Sequence, residues 1–93
     1  MQMNRPICIY ALKSEATGRV LLGQTLNLRQ RLLRHNAGRF TSTAGERPWV
    51  VVRTDERPTR LRARLFVLRL TFSRRLRAAW MERGERAEAR AAG

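Results

Sequence analysis

Residues 6–13 read PICIYALK and residues 19–24 read RVLLGQ, and how these two stretches pair decides the fold. Ile7 to Leu12 is apolar at odd and even positions alike. A strand of that kind is covered on both faces, as a central strand is, whereas a strand facing solvent alternates. Between the two stretches, Ser14 to Gly18 carries Thr17-Gly18 as a turn signal. Residues 19–24 therefore return as the second strand of an antiparallel hairpin whose loop exceeds two residues. Gly23, near the end of that strand, marks a bulge or a close approach of another group to the backbone.

Downstream the periodicity changes. Asn27 suits a helix N-cap, and Leu28, Leu32 and Leu33 recur at helical spacing, with Gly38 as the stop. Residues 39–48 are rich in Thr, Ser, Gly and Pro and read as a loop. Residues 49–54, WVVVRT, are a β-branched strand closed by the polar run Asp55-Glu56-Arg57-Pro58. Residues 59–72 contain many β formers, but Leu61, Leu65, Leu68 and Phe72 fall at i, i+4, i+7 and i+11, so a helix with those four toward the core is expected. Ser73 caps a second, short helix through Leu76, Trp80 and Met81, and residues 83–93 lack an apolar stripe and are expected as a flexible tail. The order β-β-α-β-α-α describes an α+β fold, a small three-stranded, mainly antiparallel sheet flanked by helices, in one domain over residues 1–82.

The chain has 93 residues, 20 Lys and Arg against 7 Asp and Glu, and a formal net charge of +13. With 43% hydrophobic residues it is too apolar for a disordered basic tail, and no run approaches the ~20 apolar residues of a membrane span. One Cys and one His exclude an internal disulfide and a zinc site of four protein ligands. A cytoplasmic location without membrane attachment is expected. No acid separates Glu15 from Glu46 or Glu56 from Glu82, and the second gap holds eight arginines. Cations without intervening carboxylates form a positive surface, for which phosphate polyanions are the natural partners.

Cys8-Ile9-Tyr10 on the first strand, Leu21-Leu22-Gly23 on the second, Arg31 eight residues after Gly23, and His35 one helical turn later together resemble the GIY-YIG nuclease superfamily. The stretch GQTLNLRQRLLRHNAGRF is especially similar to short, stand-alone bacterial members, and the resemblance spans residues 6–81. It implies a three-stranded antiparallel sheet with helices and metal-assisted cleavage of a DNA phosphodiester. It also implies site roles for the tyrosines of both motifs, the helix arginine and histidine, and a glutamate on a later helix. Tyr10, Arg31 and His35 match those positions and are the candidate catalytic residues; Arg31 and His35, at i and i+4, share a helix face.

The departures matter as much. Cys8 stands for the first glycine and Leu21 for the second tyrosine, and the glutamate position falls near Val67 in a segment, 57–81, with no acid. A divalent cation such as Mg²⁺ or Mn²⁺ then loses its oxygen anchor unless Asp55 or Glu56 swings in. No metal ligand is assigned, and the metal enters only if the chain cleaves. Nucleic-acid contacts are expected from Arg29, Arg31, Arg34, His35, Arg39, Arg60 and Arg64. Each also has a plainer reading: Tyr10 as a strand aromatic, His35 as a helix C-terminal cap, Cys8 as a small hydrophobe, Trp49 and Trp80 as core or rim aromatics, and the arginines as a solvated face. Three functions stay open: a degenerate domain that binds DNA, an active metal-dependent endonuclease with a rearranged site, or a basic adaptor for an acidic protein partner.

Overall fold

The element that organises the fold, taken from a computed structural model that describes residues 5–92, is the strand β1 (Ile7–Ser14). It lies at the centre of a three-stranded sheet between β2 (Val20–Thr25) and β3 (Trp49–Arg57), antiparallel to both. Its continuous apolarity follows from that position: Ile7, Ile9 and Ala11 enter one buried cluster, while Tyr10 and Leu12 enter another. The hairpin turn is held by Ser14, fully buried, whose Oγ accepts from the N–H groups of Ala16 (3.1 Å) and Thr17 (3.0 Å) and donates to the Glu46 carbonyl at 2.6 Å.

Helix α1 (Leu28–Asn36) starts where Asn27 accepts from the Gln30 N–H at 3.0 Å. It ends in two crossed bonds, Arg39 N–H to Arg34 O (3.0 Å) and Gly38 N–H to His35 O (3.1 Å), with Gly38 at φ +76°. The stretch expected as a loop contains one helical turn, α2 (Thr41–Ala44). It forms because the buried Thr43 binds into the core, which the composition of residues 39–48 does not signal. Strand β3 also outlasts its expected end at residue 54: Asp55 and Glu56 pair with Ile9 and Cys8, so the polar run continues the sheet rather than closing it.

Helix α3 (Arg60–Phe72) is capped by Thr59, and α4 (Arg74–Ala92) by Ser73, whose Oγ accepts from the Leu76 N–H at 3.1 Å. Helix α4 continues through residues 83–92, the segment expected as a tail; Ala, Arg and Glu propagate a helix without any apolar stripe. A correction concerns α3. Leu61, Leu65, Leu68 and Phe72 are exposed, and Ala63 and Leu70 are buried, with Phe66 and Val67 partly so. The helix carries two apolar stripes, and the one containing Ala63 wins because its small side chain lets the backbone approach the sheet closely. Helices α3 and α4 thus cover the Ile7–Ile9–Ala11 face, with Trp80 in its cluster, while α1 covers the Tyr10–Leu12 face with Trp49.

Candidate functional site

On the α1 side of the sheet, Tyr10 lies directly across β1 and β2 from Gly23, and its phenol covers that glycine. A Cβ built there would meet Tyr10 Cζ at 2.6 Å and press on the hydroxyl as well. Only hydrogen fits, which accounts for the glycine in the second strand. Tyr10 is 4% exposed and packs with Leu12, Trp49, Leu21, Leu28 and Leu32. Burial pushes its hydroxyl above the ordinary value, against the pull of the Arg31 guanidinium, so it stays protonated at neutral pH.

Arg31 and His35 project from α1 toward this region, joined by a residue the sequence does not single out. The Phe40 ring lies 4.4 Å from the His35 ring and 5.6 Å beneath the Arg31 guanidinium. His35 is only 5% exposed, and its Nδ1 is 3.1 Å from Thr43 Oγ1. That hydroxyl itself donates to the Phe40 carbonyl at 3.3 Å, so it accepts from His35 Nδ1–H and leaves Nε2 as the unprotonated nitrogen. Burial, and then the Arg31 charge, lower the His35 pKa and keep the ring neutral. Asn36 is a second unforeseen residue: its amide donates to the Trp49 carbonyl (3.0 Å) and accepts from the Trp49 N–H (2.7 Å), fixing the end of α1 to the start of β3.

The expected nucleic-acid residues divide by position. Arg34 and Arg39 line one shallow concavity on α1 with Gln30, Leu33 and Ala37, while Arg31 stacks over Phe40. Arg29 lies on the other flank of the helix, about 160° around the axis from Arg31 at about 100° per residue. Arg60 and Arg64 are exposed on α3, across the sheet. The two strand-end carboxylates separate as well. Asp55 faces the α3–α4 side, where its Oδ2 accepts from Trp80 Nε1 at 3.0 Å and its Oδ1 meets Arg57 at 3.1 Å. Burial alone would raise its pKa, but the indole, the Glu56 N–H and Arg57 more than offset this and hold it below the ordinary value. Glu56 pairs in register with Cys8, on the Tyr10 side. Burial, then Glu56 and Asp55, push the Cys8 thiol up, so it stays protonated.

A three-stranded antiparallel sheet with a tyrosine closed over a strand glycine, and an arginine and histidine on the following helix, defines a nuclease-type α+β domain. The chain belongs to the GIY-YIG family: the family model described as the GIY-YIG catalytic domain matches residues 6–70. Searches of curated proteins and of solved structures returned no significant match. Membership relates this domain to nucleic-acid chemistry in general terms. The residues present do not fit the divalent metal that the family implies. Leu21 and Val67 are partly buried packing residues that offer no ligand atom. No group of three or more His, Cys, Asp or Glu side chains able to hold a metal occurs among the described residues.

Proposed function

We propose that this domain binds nucleic acid, DNA in the first instance, in the cytoplasm, through Arg31, Arg34 and Arg39 around α1, and that it cleaves little or not at all. The observation that supports the reading is the make-up of the α1 face: Arg34 and Arg39 line one concavity there, Arg31 on the same helix stacks over Phe40, and Leu21 beside Tyr10 is an apolar packing residue. Phosphate contacts of this kind fix register without reading sequence. Arg60 and Arg64 bear on a different surface, and the buried His35 supports the site by holding Thr43 and Phe40 behind Arg31. No helix among the described residues is long and apolar enough to cross a membrane.

The test is fluorescence anisotropy with labelled single-stranded, duplex and branched DNA over a salt series. Three phosphates neutralised by Arg31, Arg34 and Arg39 give a log-log slope of about −2.7 on duplex, at about −0.9 per phosphate. Arg31→Ala should flatten it by about one such step, and a salt-independent affinity would sink the proposal. A second reading, metal-dependent hydrolysis, is favoured by one observation: Glu56 shares the sheet face of Tyr10. Cutting in Mg²⁺ or Mn²⁺ on denaturing gels that disappears in Glu56→Gln and Tyr10→Phe, with binding intact, would replace the binding-only reading.

A further inference from the structure

The outward face of α3 has no role in the site described above. Leu61, Leu65, Leu68 and Phe72 are 66%, 51%, 42% and 84% exposed. At about 100° per residue they form a continuous seam diametrically opposite the buried Ala63 and Leu70. A small monomeric domain gains nothing by presenting four large apolar side chains in a line, and contiguous exposed apolar surface marks an interaction site. The spacing of four, three and four residues is that of alternating core positions in a helix pair. Such a seam is suited to receive another amphipathic helix.

The flanks of the seam identify the occupant. On one side stand Arg62 and Arg69, and on the other Arg64, all exposed, at the positions that border the core of a helix pair and select its partner. No carboxylate lies anywhere on α3. Beside the Arg62–Arg69 flank, a concavity is lined by Arg57, Arg62, Leu65, Phe66 and Arg69. It sets three guanidiniums around two apolar side chains, with Arg57 stacked 4.0 Å over the Phe66 ring. Asp55 meets this group through Arg57 at 3.1 Å. A second copy of the chain is a poor occupant. In a parallel pair Arg64 would meet the other copy's Arg69, and in an antiparallel pair Arg62 would meet Arg69 and Arg64 its own counterpart. Either arrangement sets cation against cation. Phosphate alone is a poor occupant too, since it leaves the four apolar side chains in water.

We propose that the outward seam of α3 docks an acidic amphipathic helix of a partner protein, with its apolar residues on Leu61, Leu65, Leu68 and Phe72 and its carboxylates against Arg62, Arg64, Arg69 and Arg57. This reading is independent of the nucleic-acid surface on α1, because the two lie on opposite sides of the sheet.

The test titrates the whole protein against a labelled synthetic peptide of about three heptads, with Leu at core positions and Glu at flanking positions. Two controls accompany it, a Lys-flanked version and a scrambled Glu peptide of the same composition. The Glu peptide should bind at least about tenfold more tightly than either control. Leu65→Asn combined with Leu68→Asn should lose that tenfold while keeping the parent's affinity for duplex DNA. Both positions are exposed, so the variant should fold. Arg64→Glu with Arg69→Glu should transfer the preference to the Lys-flanked peptide. Equal binding of the scrambled peptide would reduce the effect to bulk charge and overturn the proposal, as would binding of none of the peptides. A dimer in sedimentation that Leu65→Asn with Leu68→Asn dissolves would make a second copy the occupant. Loss of DNA affinity in that variant would make the seam a nucleic-acid surface. Either result also overturns it.

Discussion

Replacing Gly23 by alanine tests whether the glycine of the second strand exists to accommodate Tyr10. The added Cβ would sit 2.6 Å from Cζ and 3.1 Å from Cε2, with the hydroxyl also in collision. Tyr10 cannot swing away easily, being 4% exposed within a packed cluster. Overpacking of a core of this kind costs about 1–3 kcal/mol. For a domain of this size each kcal/mol lowers Tm by about 4–8 °C, so a drop of at least about 4 °C is expected. The control reverses the sign. Tyr10→Leu removes Cζ and the hydroxyl, the atoms that collide, and in that background Gly23→Ala meets no clash. It should then stabilise by about 0.5–1 kcal/mol, because glycine weakens a strand interior relative to alanine. The coupling between the two sites is therefore about 1.5–4 kcal/mol, measurable by urea unfolding of the four proteins at constant m-value. If Gly23→Ala costs the same in both backgrounds, the phenol does not explain the glycine and the reasoning fails.

Other outcomes follow from the same contacts. The His35 pKa is lowered in the folded protein from the ordinary 6.5, so below that pH the unfolded chain takes up more protons. Stability should be fully present above about pH 6.5 and fall on acidification, and His35→Gln should flatten the slope between about pH 7 and 5 in thermal unfolding. Trp80→Phe removes the indole N–H from Asp55 and should cost about 1–2 kcal/mol in urea unfolding. Asp55 is held below its ordinary 3.8, a contribution present above that pH and lost as pH falls through the lowered value. Trp80→Phe should therefore shrink the stability lost between about pH 5 and 3. Asp55→Asn should lower Tm yet leave DNA affinity unchanged, because its side chain lies across the sheet from Arg31; a parallel loss of affinity would contradict that placement. Arg31→Ala should cost less than about 1 kcal/mol of stability, the scale of its stacking on Phe40, while weakening DNA binding.

Much of this architecture is readable locally. The unbroken apolarity of Ile7 to Leu12, the Asn27 cap and the Gly38 stop are each decided by a few neighbouring residues, and the structure realises them where expected. The face that α3 buries is not readable in that way. Both the Leu61–Leu65–Leu68–Phe72 stripe and the Ala63–Phe66–Val67–Leu70 stripe have helical spacing, and the choice between them depends on how closely the backbone can approach the sheet. The length of β3 likewise depends on a distant group, since Trp80 meets Asp55 from 25 positions along the chain. Of the site, Tyr10, Gly23, Arg31 and His35 were visible through their spacing. Phe40 and Asn36 were not, because their importance comes from the docking of α1 against β3.

The candidate residues divide into those that packing explains and one that it does not. Tyr10 seals the sheet over Gly23, and His35 holds Thr43 and Phe40 in the core, so each would be kept for stability even without chemistry. Leu21 and Val67 fill packed positions with apolar groups, each against a different face of the sheet. Tyr10 and His35 are therefore weak witnesses to catalysis. Arg31 is different. It is half-buried, it forms no ion pair among the described residues, and its charge lowers the pKa of both Tyr10 and His35. A cation without a carboxylate beside it is available to an anion that comes from outside, and in the function proposed above that anion is a nucleic-acid phosphate.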